Sequence, residues 1–392
     1  MKVICDRGAL LEAVNLISGV TAARTPKPQL TCVKVEATKD ADAGELILTA
    51  TDAEIALTLR IGRVDVAEPG AALIPADKLR QIVSAEDNEP TLTIECSGDV
   101  ATISGEDAEF KLNTYPAADF PTIASFTQIA KGASGTTPAK TVFTTDAGAL
   151  DALIGRTLFA AARENSRYAI NGVLMNRDGK KLEMVATDGR RLAKCTTTLA
   201  GAAKGEEKAG CIVPSKALAM FLKLVADGDE PVSVALADNQ IVFAFGEDPA
   251  DSRAVLSSNL VEGSFPPYED VIPKDQDIKV SFDRDVLASA VRRAALLTNE
   301  ESRGVRLAFT GADKKLELSS RAPEMGEAKV DVDLAAYEGN DIEIGFNPAF
   351  LTDALKVIDD PAVMIELKAS NKPGLFRSGD DFVYVVMPVN LT

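Results

Sequence analysis

Histidine is absent from the chain's 392 residues. That removes imidazole general bases, Ser-His-Asp and Cys-His nucleophile systems, and imidazole metal ligands. The five cysteines (Cys5, Cys32, Cys96, Cys195, Cys211) are scattered, with no Cys-x-x-Cys pair. They predict reduced, mostly buried thiols rather than a zinc site or a disulfide framework. Carboxylate chemistry stays open, with Asp188 and the Glu300-Glu301 pair as candidates for a hydrolase. Glu300-Glu301, however, reads as a solvated loop beyond the helix end at Leu296-Leu297, and Asp188-Gly189 as a tight turn. No Walker-type phosphate loop and no dinucleotide glycine fingerprint after a strand is found. The expectation is a protein that binds and does not catalyse, with no metal and no cofactor. Two runs carry groups suited to binding. The Asp188-Gly189 turn can present Arg190, Arg191 and Leu192, and Val385-Val386-Met387 reads as a buried last strand ending in a flexible methionine.

The elements that would position these groups recur three times. Val3-Ile4-Cys5-Asp6, Val142-Phe143-Thr144-Thr145-Asp146 and Val280-Ser281-Phe282-Asp283 each read as a strand ending in an aspartate. A leucine follows four residues later, at Leu10, Leu150 and Leu287. Such an aspartate can cap a helix by accepting from its first free amides. Further on, Leu73-Ile74-Pro75, Ile212-Val213-Pro214 and Phe346-Asn347-Pro348 read as strands whose proline opens a second helix, where a missing N–H costs little. The aspartate-to-proline separations are 69, 68 and 65 residues. A third landmark, Leu48-Thr49-Ala50-Thr51-Asp52, matches Met184-Val185-Ala186-Thr187-Asp188; the third copy offers only Leu316-Glu317-Leu318-Ser319-Ser320. Short alternating runs between the landmarks, such as Thr91–Glu95 and Val232–Leu236, predict half-buried antiparallel strands. The period is too long for a small solenoid. The expected organisation is therefore three homologous α+β domains over 1–126, 141–272 and 273–392, with a Gly-, Ser-, Thr- and Ala-rich linker at 127–140.

Net charge is -17 and the sequence pI is near 4.6, which by itself speaks against nucleic acid. The six expected helical segments (6–19, 75–86, 150–167, 214–226, 285–297 and 348–358) carry +3 together, leaving -20 on the remainder. The sign suits a positive helical face within an acidic molecule. No apolar stretch approaches the length of a membrane span, and the start Met1–Asp6 meets a charge too early for a signal peptide, so a cytoplasmic protein is expected.

Collinear motifs carry a family resemblance over essentially the whole chain. Val185-Ala186-Thr187-Asp188-Gly189-Arg190-Arg191-Leu192-Ala193 and the terminal Tyr384-Val385-Val386-Met387-Pro388-Val389 are similar to signatures of the bacterial DNA polymerase III beta subunit, the beta sliding clamp. Arg167-Tyr168 with Asn171-Gly172, Pro116–Pro121, and Arg303-Gly304-Val305-Arg306-Leu307 add to the likeness. The resemblance implies an α+β fold of three clamp domains, each with two helices packed on antiparallel sheet, closing as a two-chain ring of six domains. It implies a homodimer around double-stranded DNA, held without regard to sequence. Its other implied partners are the DNA polymerase III catalytic subunit, the clamp loader and further proteins carrying a clamp-binding peptide.

Residue by residue, the resemblance and the helix charges give DNA-facing candidates Arg24, Lys78, Arg80, Arg163, Arg167, Tyr168, Lys216, Lys223, Arg292 and Arg293. A peptide groove between the second and third domains would be lined by Ile170, Thr187, Gly189, Arg190, Arg191, Leu192, Pro266, Val271, Asn347, Phe350, Pro373, Val385, Val386, Met387, Pro388 and Val389. Arg190 stands where the family often has histidine, Asp270 at a frequently basic position, and Ser302 at a frequent aromatic, while the tail reads Asn390-Leu391-Thr392. Peptide preference is expected to differ accordingly. The rival reading is a three-domain scaffold that binds only proteins and needs no positive face.

Overall fold

Two of the three expected capping aspartates have their caps described. Asp6 Oδ1 accepts from the Ala9 amide at 2.8 Å and Asp283 Oδ1 from the Val286 amide at 3.0 Å, starting helices α1 (Arg7–Ser18) and, later in the chain, α6 (Arg284–Ala294). The computed structural model describes all residues except 23, 41–42, 133–136, 164–168, 200, 202, 299–303 and 391–392. Between α1 and α6 lie α2 (Ala76–Ala85), α3 (Phe126–Lys131), α4 (Ala147–Leu158) and α5 (Ser215–Leu224), and α7 (Pro348–Val357) follows. Pro75 and Pro214 end strands immediately before α2 and α5, and Pro348 is the first residue of α7. The helix expected over 150–167 ends earlier, at Leu158.

Element order repeats as the landmarks predicted. Each copy runs strand, helix, four strands, helix, three strands; the second copy adds Ala203–Gly205 and the third adds Ala336–Glu338. The copies are joined through their sheets. The fourth strand of the first copy, Ile55–Glu68, pairs antiparallel with the last strand of the second, Ala254–Asn259, from Ile55↔Ser258 to Ala254↔Leu59. The fourth strand of the second copy, Arg191–Thr198, pairs likewise with the last strand of the third, Phe382–Val386, from Arg191↔Val386 to Cys195↔Phe382. Because Ile55 and Arg191 each stand four residues beyond the matching threonine, both joints share one register. The two remaining counterparts, Gly326–Asp333 and Glu109–Asn113, are terminal strands of their sheets.

This pairing divides the described residues into two compact units that do not follow the sequence period. One comprises Met1–Asp151, Leu199–Ala209 and Lys216–Leu260 around a 13-stranded sheet. The other comprises Ala152–Thr198, Gly210–Ser215 and Val261–Thr392 around sheets of nine and four strands. In the first, α1 and α2 bury Leu10, Val14, Ile17, Leu79 and Val83, and Phe221 packs on Phe243 and Phe245 with centroids 5.1 and 5.0 Å apart. In the second, Tyr384 packs between Phe159 and Phe376 at 5.6 and 5.8 Å. Each such fully buried side chain contributes on the order of 2 kcal/mol. No helix among the described residues is long and apolar enough to cross a membrane.

The segment expected as linker is not merely connecting chain. Ser125 and Gln128 form a capping box that starts α3, a signature visible in the sequence as Ser-x-x-Gln. Phe126 and Ile129 then bury against Ala235, Val242 and Ala244, so apolar anchoring overrides a composition that reads as flexible.

Candidate functional site

The second joint carries a pocket, built from a turn upward. Asp188 Oδ1 accepts from the Arg190 and Arg191 amides at 2.9 and 3.0 Å. Thr187 Oγ1 donates to the Arg191 carbonyl at 2.6 Å and accepts from the Gly189 amide at 3.1 Å. The turn requires φ +84° at position 189, a left-handed conformation that glycine adopts without a Cβ penalty. Beyond it the Met387 amide donates to the Arg190 carbonyl at 2.9 Å, which brings the end of the last strand beside the turn.

A cavity of about 200 Å³ opens there, lined by Ile170, Thr187, Gly189, Arg190, Arg191, Leu192, Pro266, Pro267, Tyr268, Val271, Val385 and Met387. Ile170, Leu192 and Val385 form a buried floor, while Met387 and Val271 stay about 40–47% exposed and can move to admit a ligand. An apolar cleft with a few polar groups at its rim suits a short peptide with hydrophobic anchors.

Other groups expected in the groove do not line this cavity. Asn347 caps α7, accepting from the Ala349 amide at 2.9 Å. Phe350 lies under the Arg191 guanidinium, 4.5 Å from ring centre to Cζ. The Pro373 carbonyl accepts from Gln276 at 2.8 Å. Val386 is buried within the last strand, and Pro388 and Val389 follow it without lining the cavity, the Val389 amide donating to the Gly345 carbonyl at 2.9 Å. Arg191 borders the cavity, but its charge is committed: it donates to Asp188, Asp353 and the Phe159 carbonyl at 3.0, 2.8 and 2.8 Å. A guanidinium so paired braces the pocket from behind, and Arg190 stands exposed at the tip of the turn.

Sequence reasoning missed Pro267 and Tyr268. The run Phe265-Pro266-Pro267-Tyr268, dense in aromatics and prolines, was the available signal. Phe265 and Tyr268 stack edge-on at 6.2 Å against the cluster of Val185, Leu192, Leu375 and Val385.

Among the DNA-facing candidates, Lys78 and Arg80 on α2, Lys223 on α5, and Arg292 and Arg293 on α6 occupy exposed helical positions, and Arg24 and Arg163 are exposed in turns. Arg167 and Tyr168 lie outside the described residues, as do Glu300, Glu301, Ser302 and Arg303. Lys216, on α5, is exposed as well, with its ammonium paired to Asp52. Burial would raise the Asp52 carboxyl, but the Ile55 amide, Lys216 and the Glu54 amide outweigh it and hold the group below the usual range.

The described residues that could gather round a metal are Glu86, Glu89 and Asp107, whose carboxylate oxygens lie within 4.8 Å of one another; Glu89 already accepts from the Glu106 amide at 3.0 Å. Burial pushes the Cys5 thiol up to about 12 and also raises Cys32, Cys96 and Cys195, the wrong direction for a nucleophilic thiolate.

Three sheet-joined copies of one two-helix module, with an apolar pocket at the second joint, define a clamp-type α+β protein. Residues 1–124, 144–267 and 269–390 match the N-terminal, central and C-terminal domains of the DNA polymerase III beta subunit. The chain is 34% identical to the beta sliding clamp of Pseudomonas putida and 31% identical to that of Escherichia coli K12, each over the full length of both chains. The Pseudomonas aeruginosa sliding clamp bound to griselimycin superposes with a TM-score of 0.87 at 34% identity, again covering both chains completely. The chain belongs to the DNA polymerase III beta subunit, or beta sliding clamp, family.

Proposed function

We propose that this chain is a non-catalytic DNA sliding clamp: two copies encircle duplex DNA as a ring and tether polymerase through the pocket at the second joint. Its domains follow the sequence period, 1–126, 141–272 and 273–392. The observation that carries the ring is the repeated joint. Two joints are made within the chain in one register, and the strands that would make a third, Gly326–Asp333 and Glu109–Asn113, present outer edges. An exposed edge is a template for pairing with another chain, and two copies exchanging these edges leave neither free. Topological closure then supplies retention, and exposed helix cations such as Arg80, Lys223 and Arg292 centre the duplex through phosphate without reading bases. A net charge of -17 repels stray DNA from the outside.

The pocket takes hydrophobic peptide anchors from the polymerase III catalytic subunit, the clamp loader and other clamp-binding proteins, and takes griselimycin as the Pseudomonas aeruginosa relative does. A protein with these partners works in the cytoplasm. Light scattering behind a sizing column tests the ring, with a particle of twice 41.4 kDa expected. Retention on closed circular DNA, lost on linearisation, then separates a clamp from a scaffold. For the pocket, Met387→Ala is expected to weaken griselimycin about tenfold, the scale of one large apolar contact, without unfolding; unchanged affinity would sink the pocket assignment.

A further inference from the structure

The pocket wall at 265–271 lies in a stretch without helix or strand, so no ladder fixes it. Its backbone is held sparsely, by the Val271 amide donating to the Tyr268 carbonyl at 3.1 Å and, just upstream, the Ala169 amide to the Ser264 carbonyl at 3.4 Å. A side-chain tether reaches it from the sheet. Glu183, on the strand Lys181–Thr187, accepts a hydrogen bond from the Tyr268 hydroxyl. Its other carboxylate oxygen pairs with Lys194 Nζ at 2.8 Å, with Lys181 more distant at 3.7 Å. The Lys194 ammonium also lies 5.4 Å from the Tyr268 ring centre, within cation–π range. Carboxylate, ammonium and phenol therefore close on one another.

We propose that Glu183 and Lys194 are positioning residues for ligand binding: together they clamp Tyr268 and hold the 265–271 wall in the form that accepts a peptide. This rests on the reading of the pocket as the peptide site. Glu183 is only 8% exposed, and a carboxylate buried to that degree is kept charged only by partners. Burial would raise its carboxyl, and the Lys194 and Tyr268 hydrogen bonds outweigh it, holding the group below the ordinary glutamate range. Burial and then the Glu183 carboxylate push the Tyr268 phenol up, so the hydroxyl keeps the proton it donates. Removing Lys194 or the Tyr268 hydroxyl leaves the buried Glu183 carboxylate short of a partner. Removing the Glu183 charge loosens the hold on the Tyr268 hydroxyl, which then keeps only Asn176. The cheapest relief in each case is for the loop to swing outward and admit water. Peptide binding must then close the wall again, which reduces apparent affinity by the fraction of chains still closed.

The test is griselimycin titrated calorimetrically into the full chain and its variants, with hydrogen exchange followed at the Val271 amide. Tyr268→Phe keeps the ring and loses the hydroxyl; Glu183→Gln keeps an acceptor and loses the charge. Each is expected to weaken binding about tenfold, the scale of a hydrogen bond to a charged group. The double variant should be no weaker than the worse single, because both break one tether. Lys194→Arg should bind within about twofold of the parent and Lys194→Met should not. Val271 should exchange faster in the weakened variants while the strands Lys181–Thr187 and Arg191–Thr198 exchange as before, a split that general destabilisation does not produce. Unchanged affinity in Tyr268→Phe and Glu183→Gln, with Met387→Ala still weakening, overturns the positioning role and leaves the pocket standing. Failure of the parent chain to bind griselimycin overturns the pocket reading itself.

Discussion

The turn at Thr51–Ile55 and the turn at Thr187–Arg191 are the same object in two settings. In the first, Thr51 Oγ1 donates to the Ile55 carbonyl at 2.7 Å and accepts from the Ala53 amide at 3.0 Å, while Asp52 Oδ1 accepts from the Glu54 and Ile55 amides at 2.9 Å. The second repeats every one of these bonds with residues 187–191. Even the seal is shared: the Asn259 amide donates to the Glu54 carbonyl as Met387 does to Arg190, both at 2.9 Å. The difference is in the surroundings. At the first turn Asp52 is paired with Lys216, and Asn259 Nδ2 also caps the Ala53 carbonyl at 3.2 Å. At the second, glycine replaces Ala53, arginines replace Glu54 and Ile55, and the wall of Pro266, Tyr268 and Val271 stands across a gap. A repeated fold supplies the joint twice, and the residues flanking one copy open a pocket in it.

The largest effect should come from breaking the joint that two chains must make. In Glu109–Asn113 the residues 109, 111 and 113 point their backbone groups away from Val100–Ser104, since Gly105 and Ala108, and Thr114 and Asp99, form the hydrogen-bonded pairs at either end. Lys111→Pro therefore removes an outward N–H and spares the internal ladder. Light scattering should report a 41.4 kDa monomer with thermal unfolding little changed, and retention on circular DNA should be lost.

Gly189→Ala forces a Cβ into φ +84° and should cost about 1–2 kcal/mol, read by denaturant unfolding, with weaker griselimycin binding as the turn shifts. Asp52→Asn should cost about 1 kcal/mol at neutral pH after allowing for the half-exposed Lys216. The sign of its pH dependence follows from the lowered folded pKa. The charged Asp52 stabilises fully above the ordinary aspartate range, and that stability disappears as pH falls through the depressed value. The gap between parent and variant should therefore close in acid. The smallest effect is Ala53→Gly, which relieves an alanine at φ +78° and should gain about 0.5 kcal/mol after glycine's entropy is counted. No gain there would mean that the surroundings of the first turn, not its glycine-seeking backbone, set its stability.

Much of this was legible in the residues. Cap aspartates, helix-opening prolines and the Thr-Asp turn follow local rules, so Asp6, Asp283, Pro75 and Pro214 mark real element boundaries. The pocket floor of Ile170, Leu192 and Val385 was readable from family motifs. What escaped depends on contacts distant in sequence. Nothing near Glu183 announces Tyr268, 85 residues away, and nothing near Arg191 announces that Asp353 and Phe350 hold its guanidinium at the cavity's edge. Lys216 reads as a helix cation from its own neighbours, yet Asp52 takes its charge.

The terminal strands Glu109–Asn113 and Gly326–Asp333 are unlike each other, so a contact between them is heterologous and has no built-in stopping point. Whether such a contact yields a ring or an endless fibre depends on the turn in strand direction accumulated along one chain. A two-membered ring needs half a revolution from each copy. Small changes in strand twist at the two internal joints are thus changes in assembly number. A substitution buried at Leu59 or Cys195, within the internal joints, can spoil closure by angle alone.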